Sequence, residues 1–164
     1  TASLPKEYGG LNTSLSWKGC DLSAIFAYSI GGYIYNRDIT MILHNGSLEG
    51  RDWSTEILKR WTPENRYTDV PALSTTSNNW NSASTRFLQN NSYMRLKNLT
   101  LSYDLPKQWI SKLALSSVQV FVQGDNLFTI HRNQGLDPEQ GITGITYYRY
   151  PAMRTISGGI NLSF

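Results

Sequence analysis

Hydrophobic and polar positions alternate with period two in four stretches of this chain. Between Tyr8 and Trp17, Leu11, Thr13, Leu15 and Trp17 fall on one face and Asn12, Ser14 and Ser16 on the other. Leu22, Ala24, Phe26, Tyr28 and Ile30 oppose Ser23, Ile25, Ala27 and Ser29, and Val118, Val120 and Val122 oppose Gln119, Phe121 and Gln123. The last stretch sets Ile156, Gly158, Ile160, Leu162 and Phe164 against Thr155, Ser157, Gly159, Asn161 and Ser163. This period predicts β-strands, and no helical periodicity of comparable length is present. A fifth strand, about 93–105, is irregular. Leu99, Leu101 and Tyr103 share parity with Arg95 and Lys97, which cannot all face one apolar medium, so a bulge or change of environment is expected near Asn98.

The predicted strands are 8–18, 21–30, 93–105, 116–126 and 154–164. The connections alternate in length: a tight turn at Lys18–Asp21 carrying Gly19, a long segment 31–92, a short link about 104–116, and a second long segment 127–153. In an up-and-down sheet, both long loops then lie at one end. One short helix is expected in the first of them, over Asp52–Trp61, with Asp52 as N-cap and Trp53, Ile57 and Trp61 recurring on one face.

Charge sharpens this picture. The 164 residues include 15 Lys+Arg and 12 Asp+Glu, 16% charged. None of these charges falls in the windows Tyr8–Trp17, Leu22–Asn36, Asn98–Tyr103, Leu113–Gly124 and Thr155–Phe164. The polar strand faces instead carry Ser, Thr, Asn and Gln, and the chain as a whole has 18 Ser, 14 Thr and 13 Asn. A soluble antiparallel sandwich normally shows Lys and Glu to water, whereas small neutral polar groups suit the lumen of a barrel whose other face meets lipid. The strand lengths match the roughly 9–11 residues that cross a bilayer at a tilt. Aromatics stand at the strand ends (Tyr8, Trp17, Tyr28, Tyr103, Phe164), where interfacial girdles belong. The expected fold is therefore an all-β, antiparallel up-and-down transmembrane β-barrel segment with two long extracellular loops. Five strands are too few to close a spanning barrel, which starts at about eight, and open edges in lipid are costly. The chain is thus expected to be the last segment of a larger barrel, with Phe164 as a terminal assembly signal; it starts at Thr1, as a processed or partial chain would.

Several stretches resemble the SusC/RagA family of TonB-dependent outer-membrane transporters. They are YGGLNTSLSWKGCDLSAIFAYSIGGYIYN (Tyr8–Asn36), RWTPENRYTDVPAL (Arg60–Leu73), SYMRLKNLTLSYDLP (Ser92–Pro106), VQVFVQGDNLFTI (Val118–Ile130), GLDPE (Gly135–Glu139) and YPAMRTISGGINLSF (Tyr150–Phe164). The resemblance implies a 22-stranded barrel of which this chain supplies the last five strands. It also implies a plug domain absent from this chain, opening by TonB, and a SusD-like lipoprotein lid that captures glycan or peptide ligands. On that reading the partners are the rest of the barrel and its plug, the lid, the TonB complex, the lipid bilayer and the cargo.

The candidate contact residues are aromatic. Trp53 and Trp61 could meet a lid or stack on a sugar, or pack the loop's own core with Ile57. Trp80 and the cluster Tyr147, Tyr148 and Tyr150 are ligand or partner candidates because loops carry binding residues. Arg95 and Lys97 could line the permeation path or bind anionic groups, or pair with an acid of a neighbouring strand or loop. Asp137 and Glu139 with Asn133 lack calcium-loop spacing, and Cys20 in a tight turn reads as incidental. No catalytic residue, metal site or cofactor is predicted: His44 and His131 are the only histidines, without ligand spacing, and there is no Gly-x-Ser-x-Gly elbow or phosphate loop. The net charge of +3 is too small and scattered for nucleic acid. The competing expectation is a soluble carbohydrate-binding or adhesion β-module.

Overall fold

The computed structural model describes residues 3–44, 48, 50–74, 82–110, 115–133, 135, 137–139 and 143–164. Among these residues eight strands form two sheets. Five are long: β1 (Glu7–Trp17), β2 (Cys20–Ile30), β5 (Tyr93–Asp104), β6 (Ser117–His131) and β8 (Thr155–Ser163). They run antiparallel in the order β1-β2-β5-β6-β8. The others, β3 (Tyr33–Asn36), β4 (Leu88–Asn90) and β7 (Ile145–Thr146), are short and lie in the connections. At one end β1 turns into β2 through Lys18 and Gly19, both at positive φ (50° and 83°), as a two-residue hairpin requires. A Cβ on Gly19 would also sit 3.2 Å from the Asp104 carbonyl oxygen. The link between β5 and β6, with the short helix α2 (Lys107–Ile110), lies at the same end. Both long connections leave from the other end.

The registers sort the side chains onto two faces. Rows such as Leu15/Leu22/Leu101/Val122/Gly158 and Thr13/Ala24/Leu99/Gly124/Ile156 make one apolar face. Rows such as Ser14/Ser23/Thr100/Gln123/Ser157 and Asn12/Ile25/Asn98/Asp125/Thr155 make the other, largely polar one. On the apolar face Leu11, Leu15, Leu101, Val122, Ile156 and Ile160 are 49–74% exposed. Trp17, Tyr28 and Tyr103 belong to that face. Tyr8 does not: it pairs with Ser29 and points to the polar side, so its strand-end position does not make it part of an apolar girdle.

The parity conflict in β5 is resolved by a bulge at Lys97. Ile25 pairs with Asn98 and Phe26 with Leu96, which leaves Lys97 extra against β2. Above it Met94 and Leu96 join the apolar face; below it Leu99, Leu101 and Tyr103 do, while Arg95 stays on the polar side opposite Ala27. On its other flank β6 answers with an irregularity of its own, since Leu96 pairs with Phe128 but Asn98 with Asp125. Asn126 takes φ 52° there, and Leu127 folds over Gly124, where a Cβ would lie 2.7 Å from Leu127 Cδ2. Beyond this point β6 continues to His131. Phe128 and Ile130 keep the parity of Val118, Val120 and Val122, but Gly124 and Asn126 leave a gap in the apolar row that hides the extension past 126 in the sequence.

The two long connections build a cap with its own small core. β3 pairs antiparallel with β4 and parallel with β7, so the connection after β2 and the one after β6 share a sheet. Ile34, Ile57, Val70 and Phe87 are buried beneath it, with the polar Asn36, His44 and Thr146. Helix α1 (Arg37–Ile42) starts where Asn36 Oδ1 accepts from the Ile39 amide at 3.1 Å. Six residues are too few to show a period. The helix expected over 52–61 is instead a 3₁₀ turn, Thr55–Lys59, capped by Ser54 and not Asp52. The Ser54 amide is held by the Ile42 carbonyl, and the Lys59 carbonyl is taken by Thr68 Oγ1 (2.6 Å) and Asn65 Nδ2 (3.0 Å), so the turn is stopped at both ends.

Candidate functional site

The densest polar assembly sits where the polar face meets the cap. Arg95 is 3% exposed and donates from Nε to Thr129 Oγ1 on β6 (2.9 Å), from Nη1 to Glu139 (2.8 Å) and from Nη2 to Asp137 (2.5 Å). Lys97, the bulged residue, reaches Glu139 at 2.5–2.6 Å. Asp137 also accepts from its own loop at the Glu139 amide (2.9 Å) and from the Ala152 amide (2.6 Å). Asn91 Nδ2 donates to the Pro138 carbonyl at 2.9 Å. One carboxylate thus ties together β5, the Asp137–Glu139 stretch and the segment entering β8. Burial pushes the Asp137 carboxyl up, but the Ala152 and Glu139 amides and the Arg95 guanidinium outweigh it and hold it below the ordinary value near 3.8.

Below this lies a second cluster on the polar face. Asp125 accepts from Asn98 (2.7 Å) and Gln123 (3.2 Å), and Asn98 accepts from Thr100 (2.9 Å). The Gly124-Asp125-Asn126 triplet therefore serves three needs: room for Leu127, a partner for Asn98 and a residue tolerant of positive φ.

Arg95, Asp137, Arg149, Arg154, His131 and Thr129 line an open cleft of about 450 Å³. His131 donates from Nδ1 to the Asn133 carbonyl at 2.8 Å, which leaves Nε2 unprotonated on the neutral ring.

The predicted contact residues separate into several places. Trp53 stands edge-on to buried His44, ring centroids 5.2 Å apart, and Ile57 is buried; Trp61 is 43% exposed. The three do not form one stripe, because the 3₁₀ turn breaks the spacing. Tyr147 and Tyr148 are paired at 4.3 Å; Arg37 stacks on Tyr147 at 4.8 Å, and the Tyr148 amide donates to Asp38 at 3.0 Å. Tyr150 is apart from them and fully exposed. Trp80 lies outside the described residues. Phe164 follows β8 at the hairpin end, 91% exposed. Arg95 and Lys97 pair with loop acids, and the same bonds occupy Asp137 and Glu139. Among the described residues no three His, Cys, Asp or Glu side chains are grouped as metal ligands. That Asp137 and Glu139 are the partners of Arg95 and Lys97 was not read from the sequence; the one signal was their matching i, i+2 spacing, acids on one segment and bases on the other. Asp125, Arg149 and Arg154 carried no signal beyond their charge.

No family model matches the chain. It is 32% identical over 94% of its length to TonB-dependent receptor P3 of Formosa agariphila, and 28% identical over 94% to TonB-dependent receptor SusC of Bacteroides thetaiotaomicron. It covers 16% and 15% of those proteins, about a sixth of the curated relatives it matches. Among solved structures it resembles the RagAB peptide transporter, with a TM-score of 0.88 and 34% identity over 99% of this chain and 17% of that one. The RLKN and GLDPE stretches are thus not separate marks but the two halves of the Arg95–Asp137–Glu139 assembly, and by sequence and fold this chain is a β-barrel segment of the SusC/RagA family of TonB-dependent receptors.

Proposed function

We propose that this chain forms part of the wall of an outer-membrane barrel that imports nutrients by TonB-dependent transport. The observation that carries this reading is the division of the sheet. One face exposes Leu11, Leu15, Leu101, Val122, Ile156 and Ile160, which would be unfavourable in water and suits lipid. The other holds Arg95, Asp125 and a run of Ser, Thr, Asn and Gln that suits a wet lumen. Both sheet edges, β1 and β8, have strand pairing on one side only and are left for the remaining strands of a larger barrel. The cap stands at the extracellular mouth. A SusD-like lipoprotein is the partner that Tyr147, Tyr148, Tyr150 and Trp61 would meet there, with glycans or peptides as cargo. TonB acts through the plug domain of the full-length receptor. The relatives are named receptors and transporters, which supports a non-enzymatic role.

The test is a pair of neighbouring substitutions in the full-length receptor. Ile160→Arg, on the apolar face, should block folding into outer membranes, because Arg near the bilayer midplane costs roughly 2–4 kcal/mol. Asn161→Arg, on the polar face, should assemble to near wild-type levels, read as heat-modifiable mobility on gels of outer-membrane fractions. Equal tolerance of both would overturn the face assignment.

A further inference from the structure

The cleft beside Arg95 is lined by more positive than negative charge. Arg95 and Lys97 are matched by Asp137 and Glu139 through direct bonds, so these four groups sum to neutrality. Arg149 and Arg154 are different. Both line the cleft, and among the described residues neither is engaged in a hydrogen bond or ion pair. They are held there by the bond between Asp137 and the Ala152 amide, which pins the segment between them against β5. A chain that wanted these arginines only for solubility would not need to fasten the backbone between them to a buried carboxylate. Thr129 adds a hydroxyl whose oxygen accepts from Arg95, leaving its hydrogen free to donate into the cleft.

We propose that this cleft binds a carboxylate group of the imported molecule, with Arg149 and Arg154 as the recognising side chains. Their planar guanidinium forks match a carboxylate bidentately. The size, about 450 Å³, admits one residue or sugar unit rather than a whole oligomer. The site lies on the polar face just below the cap, so a cargo entering from the mouth would pass it. This rests on the importer reading above. The carboxylate could belong to an acidic peptide or to a uronic-acid oligosaccharide; the chemistry read by the arginines is the same.

The experiment uses the full-length receptor purified from outer membranes, with any lipoprotein that co-purifies, as wild type and as Arg149→Gln/Arg154→Gln. Binding is measured by fluorescence for four probes: tetragalacturonate, its neutral counterpart maltotetraose, a penta-glutamate peptide, and amidated penta-glutamine. The double variant should bind at least one acidic probe roughly 10- to 100-fold more weakly, the range for losing a charge-assisted hydrogen bond. Its affinity for the neutral probes should be unchanged, and 0.5 M NaCl should weaken the wild type towards the variant. Selective loss of tetragalacturonate identifies a uronic acid as the source, and selective loss of penta-glutamate a peptide. Equal affinity of wild type and variant for both acidic probes overturns the proposal. So does equal loss of acidic and neutral probes, which would mean that the arginines hold the barrel against its plug. Heat-modifiable mobility is measured in parallel: a wild type that never assembles in outer membranes would sink the importer reading itself, whereas an assembled barrel without acid selectivity sinks only this site.

Discussion

The hairpin end and the cap end of this molecule are held together by different physics. Below the Lys97 bulge the strands follow strict alternation, and the apolar side chains are exposed instead of buried against one another. What stabilises that half is its backbone ladder together with the medium on each face. Above the bulge two connections share a small sheet over a core of Ile34, Ile57, Val70 and Phe87, and buried polar groups tie that cap to the strands. There Arg95, Asp137 and the Ala152 amide fasten that cap to β5. The difference teaches that a barrel wall can be specified by its surroundings, whereas the cap must specify itself through bonds between named side chains.

Substitutions can break this contrast. The largest effect is expected from Arg95→Met, which leaves Asp137 buried without its cation; breaking such a pair costs about 3–5 kcal/mol. The cap should become sensitive to protease while the strands still assemble, and simultaneous loss of strand assembly would show that the two halves are not separable. Ile160→Arg should do the reverse, with roughly 2–4 kcal/mol lost from membrane assembly. At the boundary, Asn126→Val should destabilise by about 1–2 kcal/mol, because a β-branched residue resists the left-handed conformation, while Asn126→Gly should be close to neutral in denaturant melts of the refolded full-length receptor. Equal effects would mean that the second irregularity does not depend on the φ of Asn126.

The smallest effect is the pH response of the cap. The Asp137 carboxyl is held below its ordinary value, so it is charged in both folded and unfolded chains at neutral pH and its contribution is fully present there. That contribution falls only as the pH drops below about 3.8 and through the lowered folded value. Hydrogen exchange at the Ala152 and Glu139 amides should therefore be slow at pH 7 and, once corrected for intrinsic rate, accelerate in that acid window. Asp137→Asn should remove the transition; its persistence would assign the effect to another group.

Much of this was legible in the sequence, for a reason that also explains the gaps. Period-two alternation reports a two-faced environment, so four of the five long strands and their faces could be read directly. The parity clash between Arg95 and Leu99 even located the bulge to within one residue. Elements that do not face two media leave no such trace. Helix α1 is six residues long and is set by one cap, Asn36. The 3₁₀ turn at Thr55–Lys59 is bounded by Thr68 and Asn65, which are distant enough that periodicity carries no word of them. The extension of β6 to His131 lies beyond Gly124 and Asn126, which interrupt the apolar row without changing its parity. The site was half visible: Arg95 and Lys97 stood out as charges in a strand, but their acidic partners lie some forty residues away in a segment with no period at all.

The parallel pairing of β3 with β7 has a mechanical consequence. β3 follows β2 after only two residues, and β7 precedes β8 by a short segment, so these two loops are coupled as one body suspended from opposite halves of the sheet. A load applied at Tyr148 is passed through Asp38 to α1 and β3, and from there to the end of β2. Neither loop can swing outward without peeling the other from its neighbour. On this side the two loops form one structural unit rather than two.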